Sequence, residues 1–324
     1  MLNFIYWPIS WVLKFWHTVF GYIFTPESGV SWILAIVFLT FTVRIFLVKP
    51  MVNQMRSTRK MQEMQPRMQE IREKYKNDQQ KMAEETQKLY KEMGTNPFAS
   101  CIVPLVQMPV FLGLFHVLRS FNRTAGPRQP GLSIEENREI ANYAFQPHDV
   151  QSFLDANFLG VPLSAYMSMP EEAFAAFTGV DLTRGHIVAV CLPLVLICAL
   201  FTHLNARFSV DRQKARRASG KTAAPQGEQA AMMEAQMGMM NNMMLWIMPI
   251  MIVASGVVWH IGLLFYMLSN NIWTFFQTRI VYNKMDQEEE EEEERKREAK
   301  RATAPAVGAR KVDKRSKKQR KQGQ

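Results

Sequence analysis

The chain has 324 residues and a formal net charge of +10, from 39 Lys and Arg against 29 Asp and Glu. This length would suit two ordinary soluble domains. However, the apolar residues, 48% of the chain, are concentrated in a few unbroken blocks. The three cysteines all lie in such blocks, which excludes a disulfide-stapled secreted scaffold and leaves no metal-ligand spacing.

The first 24 residues are apolar and dense in aromatic side chains, with Lys14 and His17 on one face. They lack the basic start and the small-residue cleavage site of a signal peptide. We predict that 1–28 forms an amphipathic helix lying in the membrane interface on the extracytoplasmic side. An additional membrane span is the alternative.

Five apolar blocks further along the chain approach the ~20 residues that a helix needs to cross a bilayer. The fourth and fifth blocks form one uncharged stretch, interrupted near its middle by polar positions around His260. Five buried helices of this length are not expected in a soluble α-helical protein. The sequence therefore predicts an all-α polytopic membrane protein whose five-helix transmembrane bundle has spans at 29–52, 97–119, 186–206 and, for the last two, within 242–281.

The connectors between these blocks differ in charge. Lys and Arg number eleven in Lys49–Lys91, six in Arg207–Lys221 and fourteen after Asn283, whereas Phe121–Gly185 holds four arginines and eight acids. Basic connectors stay in the cytoplasm. This rule places the segments 53–96, 207–241 and 282–324 inside and the connector 120–185 outside. The N-terminus is then extracytoplasmic and the C-terminus cytoplasmic.

The first basic connector has the apolar periodicity of helices. The stripe steps by three and four residues from Met61 to Tyr75, breaks at Lys76–Asp78 and resumes from Met82 to Met93. This pattern predicts a cytoplasmic hairpin of two amphipathic helices within 53–96. The periodicity does not distinguish a solvated spacer from a docking arm.

Two other segments have unusual composition. Nine methionines lie between Met232 and Met251, which suits either a gap-filling core or a surface that adapts to varied apolar partners. The tail has seven consecutive acids at Glu288–Glu294, and eight of the twelve residues in Arg310–Lys321 are Lys or Arg. We predict that 282–324 is disordered, with a basic end that either binds phosphate backbones or anionic lipid or only keeps the protein soluble.

Arg44 is the single charge inside the first apolar block. Its guanidinium could reach the inner headgroups along the helix surface, or it could face a wet groove within the bundle. Thr40 lies one helical turn before it, and polar residues in other spans would be costly facing lipid. We favour the groove, with candidate lining residues Gln107, Ser269, Asn270, Asn271 and Gln277. The chain has none of the common nucleotide or metal motifs, and we predict no catalytic residue, no metal and no cofactor.

Four stretches, 39–50, 61–75, 87–118 and 262–282, resemble the YidC/Oxa/Alb family of membrane protein insertases, and specifically the short bacterial YidC form without a large extracytoplasmic domain. The resemblance implies a groove open to the cytoplasm and to lipid, with Arg44 and Thr40 in it. Where many relatives have two adjacent tyrosines, this chain has Tyr266 and Met267, so a client-contact role carries over only to Tyr266. The turn Trp259–Gly262 lacks the relatives' Phe-Pro-Ser-Gly, so its geometry does not carry over.

The resemblance implies an insertase and chaperone of the bacterial cell membrane that is not an enzyme and uses no nucleotide. Its partners would be nascent membrane proteins, the lipid bilayer and the ribosome, which the basic tail and the hairpin would hold. The Sec translocon would be a further partner if the protein does not act alone. The rival interpretation is a small-anion transporter that uses Arg44 as its substrate-binding charge. Such transporters tend to have internal repeats, which we do not find. A membrane-anchored scaffold would not account for Arg44.

Overall fold

The computed structural model describes residues 3–94, 99–124, 131–177, 180–221 and 230–302. This part of the chain is nearly all α-helical, as predicted. Within it, three helical segments are long and apolar enough to cross a membrane, Gly29–Glu63, Arg184–Ala218 and Glu234–Val258. The described parts of the other two predicted spans are also helical, but their passage through the bilayer stays a prediction.

The chain begins with two helices, α1 (Asn3–Phe24) and α2 (Gly29–Glu63), joined by a short turn. Ser28 caps α2, because its hydroxyl accepts a hydrogen bond from the Val30 backbone N–H at 3.2 Å. Gly29 follows, and a Cβ there would lie 1.8 Å from the Asn157 carbonyl oxygen. Only glycine lets the connector backbone approach the start of α2 this closely.

Two shorter helices follow α2, namely α3 (Gln65–Lys74) and α4 (Gln79–Glu92). They are separated by four residues, of which the last, Asp78, caps α4 by accepting from the Lys81 backbone N–H at 3.0 Å. The helix α5 (Ala99–Arg119) comes next. The predicted span at 97–119 therefore begins outside the described residues.

The connector after α5 is folded. Its elements are α6 (Ile134–Glu139), α7 (Pro147–Asp155), the antiparallel strands β1 (Asn157–Phe158) and β2 (Val161–Pro162), and a 3-10 turn at Glu171–Ala176. The hairpin between the strands turns at Leu159 and Gly160, both with positive φ, of 52° and 77°. Two positive φ angles are typical of the turn that fits the twist of a two-residue hairpin.

The second half begins with α8 (Arg184–Ala218) and α9 (Ala230–Asn242), followed by a π-helical segment, Met243–Ile247, and α10 (Met248–Ser255). Pro249 has no N–H, so it cannot donate to the carbonyl of Leu245 four residues earlier. That carbonyl instead accepts a hydrogen bond from the His203 ring at 2.8 Å. His203 of α8 thus supplies a hydrogen bond to the Leu245 carbonyl that Pro249 cannot provide.

After a 3-10 turn at Gly256–Val258, the last helix, α11, runs from Ile261 to Ala302. The prediction of a disordered tail from 282 onward differs from the structure, because α11 continues to Ala302. Pairs of opposite charge four residues apart support this part of the helix, for example Glu292 with Lys296 at 2.7 Å. The basic end, 310–321, lies outside the described residues.

The chain divides into two compact units, Met1–Thr278 and the remainder from Arg279. The core of the first unit lies where the connector covers the ends of the helices. Trp32 of α2 is fully buried at its centre among three phenylalanines of the connector, Phe121, Phe145 and Phe153. Its indole N–H donates to the Ser152 hydroxyl at 3.0 Å.

In contrast to this core, many large apolar side chains on the helices are exposed. Leu196 and Leu200 of α8 are examples, as are Trp246 and Ile250 in the fourth predicted span. Exposed apolar patches of this extent are unusual in a soluble monomer and indicate surfaces that face lipid.

Candidate functional site

Arg44 lies on α2 and turns towards α11. Its side chain is only 6% exposed. Its Nε and Nη2 donate to the Asn270 side-chain oxygen at 2.8 and 2.6 Å, and Nη2 also donates to the Thr274 hydroxyl at 3.1 Å. The guanidinium is therefore directed to a neighbouring helix and does not extend along the surface of α2.

The acceptors around Arg44 are all neutral. Besides Asn270 and Thr274, its Nη1 contacts the Met51 sulfur at 3.3 Å. No carboxylate of a described residue pairs with it. A buried charge is costly unless an opposite charge and several hydrogen bonds compensate it, and Arg44 has the hydrogen bonds without the opposite charge.

A second polar pair joins α5 to α11. The Gln107 amide donates to the Tyr266 hydroxyl at 2.7 Å, and Tyr266 is only 2% exposed. The other end of the Gln107 amide, Oε1, is buried without a protein partner in the described chain. Tyr266 also interacts electrostatically with Arg44, so the two polar pairs are neighbours.

Asn271 faces a different helix from Asn270. Consecutive residues of an α-helix are about 100° apart around its axis, and Asn271 accordingly meets α8. Its side-chain oxygen accepts from the Thr202 hydroxyl at 3.3 Å, and its backbone carbonyl accepts from the Asn205 amide at 3.2 Å. The structure therefore does not bring Asn271 to Arg44.

The remaining predicted residues bond within their own helices. The hydroxyls of Thr40 and Ser269 donate to the carbonyls of Ile36 and Phe265, at 2.8 and 2.7 Å. Gln277 accepts from the Trp273 indole at 2.8 Å. Thr40, Ser269 and Gln277 are all buried, but none of them forms a hydrogen bond with Arg44.

Sequence reasoning missed three polar contacts of this region. Thr274 completes the set of acceptors around Arg44, and Thr202 and Asn205 hold Asn271 to α8. Helical spacing could have indicated Thr274, which lies four residues after Asn270 and thus on the same face. No such signal existed for Thr202 and Asn205, because their pairing partner is more than 60 residues away.

Several polar atoms of this region are buried without a protein partner among the described residues. They are Gln107 Oε1, Asn205 Oδ1, Asn271 Nδ2 and Gln277 Nε2. Unsatisfied buried groups of this kind cost about 1–3 kcal/mol each. The region thus combines an uncompensated positive charge with free hydrogen-bonding capacity. Among the described residues, no group of three or more His, Cys, Asp and Glu side chains is placed to hold a metal ion.

Comparison with known proteins gives a consistent result. Residues 23–289 match the family model described as 60Kd inner membrane protein. Membrane protein insertase YidC of Mycobacterium tuberculosis is 42% identical over 310 residues, which are 95% of this chain and 80% of the relative. The proteins of the same name from Mycolicibacterium paratuberculosis and Bifidobacterium longum are 40% and 28% identical, over 95% and 82% of this chain and 83% and 70% of theirs.

Proposed function

The chain belongs to the 60Kd inner membrane protein family, and we propose that it is an insertase that receives nascent membrane proteins and releases their transmembrane segments into the bilayer. The family and the apolar helices make it a protein of the bacterial cell membrane. The family is not a class of enzymes. It does not favour the alternative of a small-anion transporter.

The observation that carries the proposed mechanism is the environment of Arg44. Arg44 is 6% exposed, and its guanidinium is held by Asn270 and Thr274 and has no carboxylate partner among the described residues. An acidic residue next to a client's transmembrane segment would supply the missing opposite charge. We infer that Arg44 attracts such residues into a groove that the neighbouring pair Gln107 and Tyr266 extends.

The energies involved are sufficient for this role. Two unit charges 4 Å apart attract by about 4 kcal/mol at an effective dielectric constant near 20, against about 1 kcal/mol in water. Transfer of the client's apolar segment into lipid then contributes about 25 cal/mol for each Å² removed from water. The membrane potential contributes about 2.3 kcal/mol per 100 mV for each acidic charge moved outward. No nucleotide is needed.

The proposal includes the five-span topology, with the N-terminus outside and the C-terminus inside. It rests on the opposite charges of the connectors and on the exposed apolar side chains of the helices. Single cysteines at Gln151, Gln80 and Glu298, introduced into a cysteine-free variant, provide a test because all three positions are exposed. Gln151→Cys should react with an impermeant reagent in intact cells, and the other two only after permeabilisation. Reaction of all three from one side would exclude this topology.

The cytoplasmic partners form a second part of the proposal. The helices α3 and α4 and the basic segment 310–321 would keep a ribosome near the groove, and the protein would act alone or beside the Sec translocon. Deletion of 310–324 should weaken binding to purified ribosomes and flatten the dependence of log K on log salt concentration. An unchanged slope would assign the tail to a spacer role.

The central experiment compares paired clients that differ only in one or two acids of the translocated segment. Proteoliposomes would carry the wild type, Arg44→Ala or Arg44→Lys. We expect Arg44→Ala to slow insertion of the acidic client about tenfold, equivalent to about 1.4 kcal/mol, and to leave the neutral client nearly unaffected. Arg44→Lys should restore part of the rate, because it keeps the charge and loses the planar fork.

The matched control is Arg59→Ala. Arg59 lies on the same helix, but its Nε pairs with Glu63 at 3.0 Å. This variant should insert both clients at wild-type rates. Equal losses for acidic and neutral clients with Arg44→Ala would instead assign Arg44 a structural role.

A further inference from the structure

A cavity of about 900 Å³ lies where the end of α5 meets the connector and the turn before α11. Six of the residues that line it carry the argument: His116, Arg119, Arg123, Tyr143, Ser164 and His260. None of its lining residues is acidic. The cavity is distinct from the Arg44 region, and no step of the proposed insertion uses it.

The cavity wall carries positive charge that no carboxylate of a described residue neutralises. Arg123 is half-buried, and its guanidinium donates to the carbonyls of Ser120 and Ala141, at 2.6 and 3.0 Å, and to the Asn142 side-chain oxygen at 3.3 Å. These acceptors are neutral. Arg119 is exposed, and its side chain forms no hydrogen bond or ion pair with a described residue. Two arginines without a carboxylate make this wall of the cavity suitable for an anion.

Two buried polar groups in the cavity wall have no protein partner. Ser164 is 3% exposed, and its hydroxyl forms no hydrogen bond with a described residue. His260 Nδ1 is buried and unpartnered in the same way. Burial lowers the pKa of His260 to about 4, and Arg119 lowers it as well, so the ring is neutral at pH 7. Both side chains line the cavity, and a small reorientation of either would bring its free hydrogen-bonding atom to a bound group.

The position of the cavity favours a lipid over a free anion. Tyr6 of α1 stacks on His116 with ring centroids 4.2 Å apart, and Trp7 packs edge-on against Tyr143 at 6.0 Å. On the same helix, Trp7, Trp11 and Phe15 are between 44% and 59% exposed. Exposed tryptophans of this kind lie at headgroup depth in membrane proteins, which places the cavity beside the phosphate layer of one leaflet.

We propose that this cavity binds the phosphate of an anionic phospholipid headgroup, with Arg119 and Arg123 supplying the charge and Ser164 and His260 donating hydrogen bonds. The backbone supports such a site. Tyr143 has a φ of 50°, an uncommon conformation for a residue other than glycine. The His116 ring and the Tyr143 hydroxyl lie 2.7 Å apart, which fixes both side chains at the cavity wall. Assignment to the outer leaflet rests on the proposed orientation, but the binding itself does not rest on insertase activity.

The test measures lipid binding to the purified full-length protein by native mass spectrometry, with phosphatidylglycerol and phosphatidylcholine compared. We expect phosphatidylglycerol to bind more tightly, and Arg119→Gln to weaken its binding about tenfold, as for the loss of one charge-assisted hydrogen bond. Because Arg119 has no partner in the described chain, this variant should keep the wild-type melting temperature without lipid. Ser164→Ala should weaken binding several-fold.

Arg138→Gln is the matched control. Arg138 lies on the same connector and pairs with Asp155 outside the cavity, so phosphatidylglycerol binding should be unchanged. A photoactivatable phosphatidylglycerol should label 116–124 or 141–144 in the wild type and label them less in Arg119→Gln. Equal binding of the two lipids, or equal weakening by Arg138→Gln, would overturn the proposal. If inorganic phosphate prevents this photolabelling as effectively as unlabelled phosphatidylglycerol, the lipid assignment is wrong. Displacement of the lipid by an acidic peptide would overturn it as well.

Discussion

The start and the middle of α2 are held in different ways. Near its start, Trp32 is fully buried, lies 5.0–5.5 Å from three phenylalanine rings and stacks on His17 at 3.7 Å. About 18 Å further along the helix, Arg44 is held by hydrogen bonds to Asn270 and Thr274. Close packing resists displacement, whereas a few polar contacts can be exchanged for others. The comparison indicates that the groove can rearrange around a client while the end under the connector stays fixed.

The largest expected effect is the loss of the anchor. Trp32→Ala should lower the free energy of unfolding by about 3–5 kcal/mol, because it empties the centre of the core and leaves the Ser152 hydroxyl without its donor. Thermal unfolding in detergent would measure this loss. Trp7→Ala is the control, since Trp7 is 44% exposed, and its effect should be much smaller. Similar losses for both variants would contradict the view that packing around Trp32 fixes the start of α2.

A smaller effect is expected where the connector touches α2. Gly29→Ala places a Cβ 1.8 Å from the Asn157 carbonyl oxygen, so the strands must move, at a cost of about 1–3 kcal/mol. Gly185→Ala at the start of α8 is the matched control, because nothing lies within 4 Å of its Cβ. The same unfolding measurement should show no loss there. If Gly29→Ala is equally harmless, the connector is not fixed to α2.

At the polar contact in the middle of α2, Asn270→Asp would give Arg44 the carboxylate that it lacks. Stability should change by less than about 1 kcal/mol, since the cost of burying a second charge offsets the attraction. Insertion of acidic clients should nevertheless fall to the level of Arg44→Ala, while neutral clients keep their rate. Asn270→Ala, which removes the acceptor without adding a charge, should leave the preference for acidic clients in place. Full activity of Asn270→Asp would show that the Arg44 charge does not select clients.

The smallest effect concerns α6 in the connector. The Ser133 backbone N–H and hydroxyl lower the pKa of the Glu136 carboxyl through the capping box that begins this helix. Because the pKa is lower in the folded state, the contribution to stability is present at neutral pH and is lost as the pH falls through the folded pKa. Ser133→Ala should raise the pKa towards its ordinary value, as an NMR titration would show. An unchanged titration would mean that the capping box does not form.

The helices, and Arg44 as an unusual charge within one of them, could be predicted from the sequence because both depend on local patterns. Apolar block length indicates a span, and one charge inside such a block stands out. The connector could not be predicted, because Trp32 and Ser152 are 120 residues apart and nothing local indicates their hydrogen bond. The wrong prediction of disorder in 282–302 has a similar origin. Charge runs suggest a solvated coil, but opposite charges spaced by four residues also suit a helix.

The π-helical segment at Met243–Ile247 has a consequence for the side chains on either side of it. One additional residue in a helical turn rotates everything that follows by about 100° relative to a continuous α-helix. The methionines of α9 and the apolar side chains of α10 are therefore out of phase with a single 3.6-residue repeat. Deletion of one residue between 243 and 247 would restore that phase and turn α9 by a quarter of a revolution against α10. The orientation of the methionine-rich surface of α9 relative to α10 thus depends on one extra residue in the π-helical segment. The hydrogen bond from His203 to the Leu245 carbonyl stabilises that segment.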